Sequence, residues 1–181
     1  MPAADNGEII ELATNLMTGE PSLAGEVRLA IVSPEEYVSR FQERLRNRGI
    51  GKPQSDLPWI ALVDGLWERG RLHELDWKEA PEDVVWKIDL LSPNQPVQPD
   101  RWAWVTTAEW EDKLPHDLLP AIAARLAGEG LTVVTLDINS DSYPIMVLPI
   151  SQVEECRQLA QLAGYGTITD WRTPAAPEAE A

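Results

Sequence analysis

Cysteine is almost missing from this chain. Cys156 stands alone among 181 residues, which excludes an intrachain disulfide and any zinc site built from cysteines. Histidine is nearly as scarce. His73 and His116 are far apart and show neither H-x-H nor H-x-x-x-H spacing, so a histidine metal site would need other ligands. No apolar run reaches the length of a membrane span. A Gly-x-Ser-x-Gly elbow is absent, and the one glycine pair with a lysine, Gly49-Ile50-Gly51-Lys52, is too short for a phosphate loop and lacks the following Ser or Thr. Positive charge is the remaining shortage. Fifteen Lys and Arg face thirty Asp and Glu, a formal net charge of -15. Such a field repels phosphate backbones and anionic lipid at long range, so no nucleic-acid and no membrane partner is expected. Arg40, Arg44, Arg46, Arg48 and Lys52 do gather in one stretch, but Glu35, Glu36 and Glu43 lie among them, as on a solvated helix face.

A chain of this length can bury a proper core without metal or disulfide. One domain is expected over residues 1–172, followed by a disordered acidic tail over 173–181. The first residues, MPAADNGEIIEL, lack the basic-then-apolar pattern of a signal peptide, so a cytoplasmic location is expected. The aromatic balance is unusual: eight Trp against a single Phe. Dispersed tryptophans predict core aromatics at the edge of the apolar interior; a Trp-lined ligand groove is the sharper alternative. Cys156 falls on the apolar face of a helix, where a thiol is commonly buried and inert.

Apolar periodicity predicts helices over 7–18, 22–31 and 57–69. Ser33-Pro34-Glu35-Glu36 predicts a capping box and a continuous helix through Leu45, with Val32 and Tyr37 as a hydrophobic staple. The alternation in Leu72–Trp77 suits a short strand. Pro81 opens a helix through Leu91, and residues 92–101, with three prolines, predict an exposed loop. Residues 102–112 are ambiguous between a strand and a helix capped at Thr106. A helix over 117–128 follows, with Pro120 in its first turn. The clearest signal is LTVVTLDINSDSYPIMVLP, residues 131–149: two β-branched apolar runs flank Asn139-Ser140-Asp141-Ser142, which predicts a β-hairpin. A helix capped by Ser151 and a strand over 165–171 complete the reading. The fold class is α+β, a helical N-terminal half packed on a small, mostly antiparallel sheet containing the 131–149 hairpin.

Two constellations could carry chemistry. Asp137-Ile138-Asn139-Ser140-Asp141 matches the first five positions of a calcium loop, but Ser142 replaces the required glycine and Leu148 the closing glutamate. Turn chemistry alone accounts for those residues. Were the strand to continue, Asp137, Asn139 and Asp141 would share a side and could hold magnesium. The second constellation is Asp76-Trp77-Lys78, with Asp64 upstream, the minimal pattern of a metal-dependent nuclease core. Asp64 falls within a predicted helix, which breaks that geometry.

The stretches LPWIALVDGLWERG (57–70), ELDWKE (74–79), EDVVWKIDLL (82–91) and TLDINSDSYPIMVLP (135–149) resemble, in that order, a bacterial family known as domain of unknown function 6630. The resemblance implies one domain, bacterial origin and a cytoplasmic location, and it implies no catalytic residues. Two functions therefore follow as expectations. The first is a non-catalytic binding or protein-interaction module without cofactor, steered by its acidic surface toward a basic protein partner. The alternative is a small metal-dependent hydrolase in which Asp76, Asp137 and Asp141 bind the cation and Lys78 assists.

Overall fold

The computed structural model describes residues 7–17, 20–92 and 100–173. Helices α1 (Gly7–Leu16), α2 (Ser22–Val32), α3 (Pro34–Arg40), α4 (Gln42–Asn47) and α5 (Leu57–Glu68) precede a short strand, β1 (His73–Leu75). Next come α6 (Pro81–Leu91), a 3-10 turn at Ala103–Thr106 and α7 (Pro115–Ala127). Strands β2 (Leu131–Asp137) and β3 (Tyr143–Pro149), helix α8 (Ile150–Ala163) and strand β4 (Thr167–Asp170) close the chain. The architecture is α+β with a helical N-terminal half, as the periodicity implies. The proline-rich segment over 93–99 and the acidic tail beyond residue 173 lie outside the described residues.

Contacts gather the chain into two compact units. The first combines residues 1–72 with 154–167. Its centre is α5, buried at every position from Leu57 to Leu66; apolar residues on all its sides are packed, and Asp64 is the one charged residue among them. Helix α2 lies close against it because Gly65 has no side chain: a Cβ there would sit 2.3 Å from Leu23 Cδ1. A second close approach places Gly166 on the indole of Trp59, where a Cβ would lie 2.2 Å from the ring.

The second unit, residues 73–153 with 168–181, holds the sheet. Strand order is β1-β3-β2-β4. The 131–149 hairpin pairs antiparallel with Val133 opposite Val147, and β1 adds antiparallel to β3 with Glu74 opposite Pro144. Leu131, Val133, Ile145 and Val147 project from one face into a core completed by Val84, Val85 and Ile88 of α6 and Leu118, Leu119, Ile122 and Leu126 of α7.

Several local expectations are corrected. The helix predicted from Pro34 to Leu45 breaks at Phe41 into α3 and α4. Ser33 makes no side-chain capping bond; it is the single residue joining two helices, and its carbonyl accepts the Tyr37 N–H at 2.9 Å. The staple is absent too, since Val32 is exposed while Tyr37 is buried. Thr106 caps no helix; Thr106 and Thr107 donate backward to the carbonyls of Ala103 and Trp104, closing the 3-10 turn. Helix α7 begins at Pro115, so Pro120 lies in its second turn rather than its first. Its missing N–H leaves the carbonyl of exposed His116 to solvent, which makes it tolerable. Ser151 likewise falls inside α8, which starts one residue earlier.

Candidate functional site

The hairpin tip is built by local hydrogen bonding. Strand β2 ends at Asp137, so the period-two alignment of Asp137, Asn139 and Asp141 does not persist. Asp137 Oδ1 accepts the Asn139 N–H at 2.7 Å, and Asn139 adopts a left-handed φ of 54°. That is the short Asx turn that asparagine and aspartate favour. The Ser140 and Ser142 hydroxyls lie 2.9 Å apart, and Ser142 Oγ donates to Glu74 Oε1 at 2.9 Å. Edge strand β1 is thereby tied to the tip. Asp141 is exposed at its apex.

Just beyond β1, Asp76 and Lys78 form another turn. Asp76 Oδ1 accepts the Lys78 N–H at 2.8 Å, and the Asp76 N–H donates to Glu79 Oε2 at 2.9 Å. The Lys78 ammonium rests 4.2 Å from the centre of the Trp77 ring, a cation–π contact. Asp64 is in the other unit, buried on α5 and held by Arg48 at 2.6 Å. Among the described residues, no group of three or more His, Cys, Asp or Glu side chains could hold a metal ion. What Asp76 and Asp137 demonstrably do is close turns.

The tryptophans divide between packed and exposed positions. Trp59 and Trp102 are buried, and Trp104 meets the edge of Trp110 at 4.8 Å under the Arg125 guanidinium. Trp171 donates its indole N–H to Thr135 Oγ1 at 2.8 Å. Two described clefts, of about 420 and 430 Å³, have no Trp in their walls. Trp67, Trp77 and Trp86 are exposed.

Charge is arranged in a way that composition alone does not reveal. Arg44 is 9% exposed and reaches Glu26 at 3.0 Å, the Tyr37 hydroxyl at 3.1 Å and Glu68 through its Nε at 2.8 Å. Arg69 meets the other Glu26 oxygen at 2.6 Å and the Gly65 carbonyl at 2.8 Å. Burial pushes the Tyr37 phenol well above its ordinary range. In the second unit Arg101 bridges Asp89 and Glu129, and Lys87 pairs with Glu79 at 2.7 Å. The basic stretch around α4 is therefore partly spent inside the fold: Arg44 and Arg48 turn onto carboxylates.

Two further titratable groups complete the picture, Cys156 buried and His73 half-buried. Burial pushes the Cys156 thiol up to about 11, with the Glu155 charge adding to it, so it is a poor nucleophile. His73 is held below its ordinary value by burial and by the Lys87 charge.

Helix α6 presents a different kind of feature. Val84, Val85 and Ile88 face the core, while Glu82, Trp86 and Leu90, spaced at i, i+4 and i+8, form one outward stripe. Trp86 is 58% exposed and Leu90 52%. The apolar spacing of Val84, Val85 and Ile88 marks the inward face of this helix. The same wheel puts Trp86 on the opposite side, a signal available before any coordinates.

Comparison with known proteins gives one finding. The profile of the family described as Domain of unknown function (DUF6630) matches residues 8–171. No curated protein and no solved structure matches the chain significantly.

Proposed function

We propose that this chain, which belongs to the DUF6630 family, is a non-catalytic protein-interaction module of the bacterial cytoplasm that engages a basic partner. The observation that carries this reading is the disposition of charge. Ion pairing leaves net charge unchanged, but it concentrates the imbalance. Arg44, Arg48, Arg69, Lys87, Arg101 and Arg172 are each held against a carboxylate. The formal charge of -15 therefore resides on what is left, a surface richer in carboxylates than the composition suggests. Such a surface accelerates encounter with a cationic protein and disfavours anionic ones. The absence of an elbow, a phosphate loop or a histidine pair in the sequence agrees with a role in binding.

Cross-linking followed by affinity capture of the tagged protein from its native cells tests the reading. A basic protein should be enriched, and its retention should fall steeply as salt rises through the range where exposed charges are screened. Recovery of no specific partner, or of one whose retention ignores salt, would overturn it.

A further inference from the structure

We infer that the outward stripe of α6, Trp86 with Leu90, is the anchor surface for a cationic amphipathic helix of the partner protein. This rests on the interaction-module reading and names the surface and the chemistry that would meet it.

A helix on the outside of a sheet ordinarily turns its polar face to solvent. Here the inward residues Val84, Val85 and Ile88 already supply what the core needs. Trp86 and Leu90 thus contribute little to folding while keeping more than half of their surface in water. A single exposed apolar residue needs no explanation, and Val32 and Leu162 are such cases. Two large ones a single turn apart make a contiguous ridge, and Trp is the residue most enriched among interface anchors.

The surroundings define the occupant. Between residues 73 and 92 there are six carboxylates, Glu74, Asp76, Glu79, Glu82, Asp83 and Asp89, against two lysines, Lys78 and Lys87; of the six, Glu79 is paired with Lys87 and Asp89 with Arg101. Lys87 binds Glu79 and the Glu74 carbonyl, and the exposed Lys78 lies on Trp77 in the turn that precedes α6. Glu82 and Asp83 are exposed at the N-terminal end of the stripe. An apolar ridge with exposed carboxylates at one end complements a helix whose apolar face is bordered by Lys or Arg, since its leucines cover the indole while its cations meet Glu82 and Asp83. A second copy of this chain would bring like charges together and is disfavoured.

The test uses the whole protein and three synthetic peptides of equal length: one with lysines along one helical face and leucines along the other, one of lysine and serine, and one of glutamate and leucine in the first pattern. Binding is measured by calorimetry. The lysine–leucine peptide should bind, and Trp86→Ala or Leu90→Ser should each weaken it about tenfold or more, as for central anchors. Val32→Ser and Leu162→Ser should leave it unchanged. Thermal melting of each variant verifies folding. If the lysine–leucine and lysine–serine peptides bind equally and Trp86→Ala has no effect, the anchor is wrong while the acidic module stands. If no cationic peptide binds, the interaction reading itself fails. A dimer in sedimentation that Trp86→Glu dissolves would also overturn the proposal, by making the ridge a self-contact.

Discussion

The Asp170 carboxylate accepts the Thr132 hydroxyl at 3.1 Å, joining residues 38 positions apart in the buried interior of the sheet unit. Burial alone would push the Asp170 carboxyl up, but hydrogen bonds from the Arg172 side chain and backbone, the guanidinium charge and the Thr132 hydroxyl outweigh it and hold the carboxyl below its ordinary value. Because the folded-state value is depressed, the stabilisation is complete above the unfolded value of 3.8 and is lost as pH falls through the lower folded one. Asp170→Asn keeps the shape and removes the charge. We expect it to cost about 2 kcal/mol at neutral pH, within the range for charged hydrogen bonds. The difference from wild type in urea melts should shrink only in strong acid. A constant difference down to acid unfolding would show that charge plays no part.

The ion network of the helical unit should behave as one object. Glu26 receives both Arg44 and Arg69. Removing Arg44 leaves a carboxylate in a poorly solvated place and strips the Tyr37 hydroxyl of its partner. Arg44→Met should therefore cost about 3 kcal/mol; Arg44→Lys should cost less because it keeps the charge, but not nothing, because an ammonium cannot reach Glu26, Glu68 and Tyr37 as one planar fork does. The double variant Arg44→Met with Glu26→Gln should lose clearly less than the sum of its parts. Strict additivity in a double-mutant cycle would dismantle the network.

How much of this was legible beforehand differs by element. The hairpin was readable because β-branched runs, a polar tip and strand length all agree; its register, Val133 opposite Val147, was not. Helix α5 was readable from its apolar periodicity, although its burial from Leu57 to Leu66 goes beyond a single stripe. The Phe41 break was not: nothing in Tyr37 to Leu45 departs from helical spacing, and the break lets Arg44 turn inward to Glu26. Long-range charge pairing leaves no trace in a sequence, so the Arg44 network and the Thr132–Asp170 bond were invisible. The candidate residues Asp76, Lys78, Asp137 and Asp141 were chosen for chemical type, and type alone does not distinguish a ligand from a turn.

Two glycines give opposite expectations for one substitution. A Cβ at Gly166 would lie 2.2 Å from the Trp59 indole, a rigid and buried ring. One at Gly65 would lie 2.3 Å from Leu23 Cδ1, which is equally buried but is the far end of a branched side chain rather than part of a rigid ring. Gly166→Ala should therefore destabilise by about 3 kcal/mol, as overpacking against an immovable partner does. Gly65→Ala sits mid-helix, where alanine gains about 1 kcal/mol in propensity, and should remain within about 1 kcal/mol of wild type. Equal losses in denaturant melts would mean that Leu23 is as immobile as Trp59.

The hairpin tip separates turn chemistry from ion binding. Asn139 has a φ of 54°, which asparagine and glycine accept and a β-branched residue resists. Asn139→Gly should be nearly neutral, and Asn139→Val should cost about 1–2 kcal/mol. Asp137→Ala removes the acceptor of the Asn139 N–H at 2.7 Å and should cost about 1 kcal/mol. If turn closure is the whole role of Asp137, these losses are the same with and without magnesium, and the Tm of the wild type does not respond to the cation. A magnesium-dependent rise in Tm that Asp137→Ala abolishes would instead make the tip an ion site and return Asp141 and Asp76 to consideration as ligands. The turn geometry favours the first outcome, because closing the turn at the Asn139 N–H already accounts for the contact of Asp137 Oδ1.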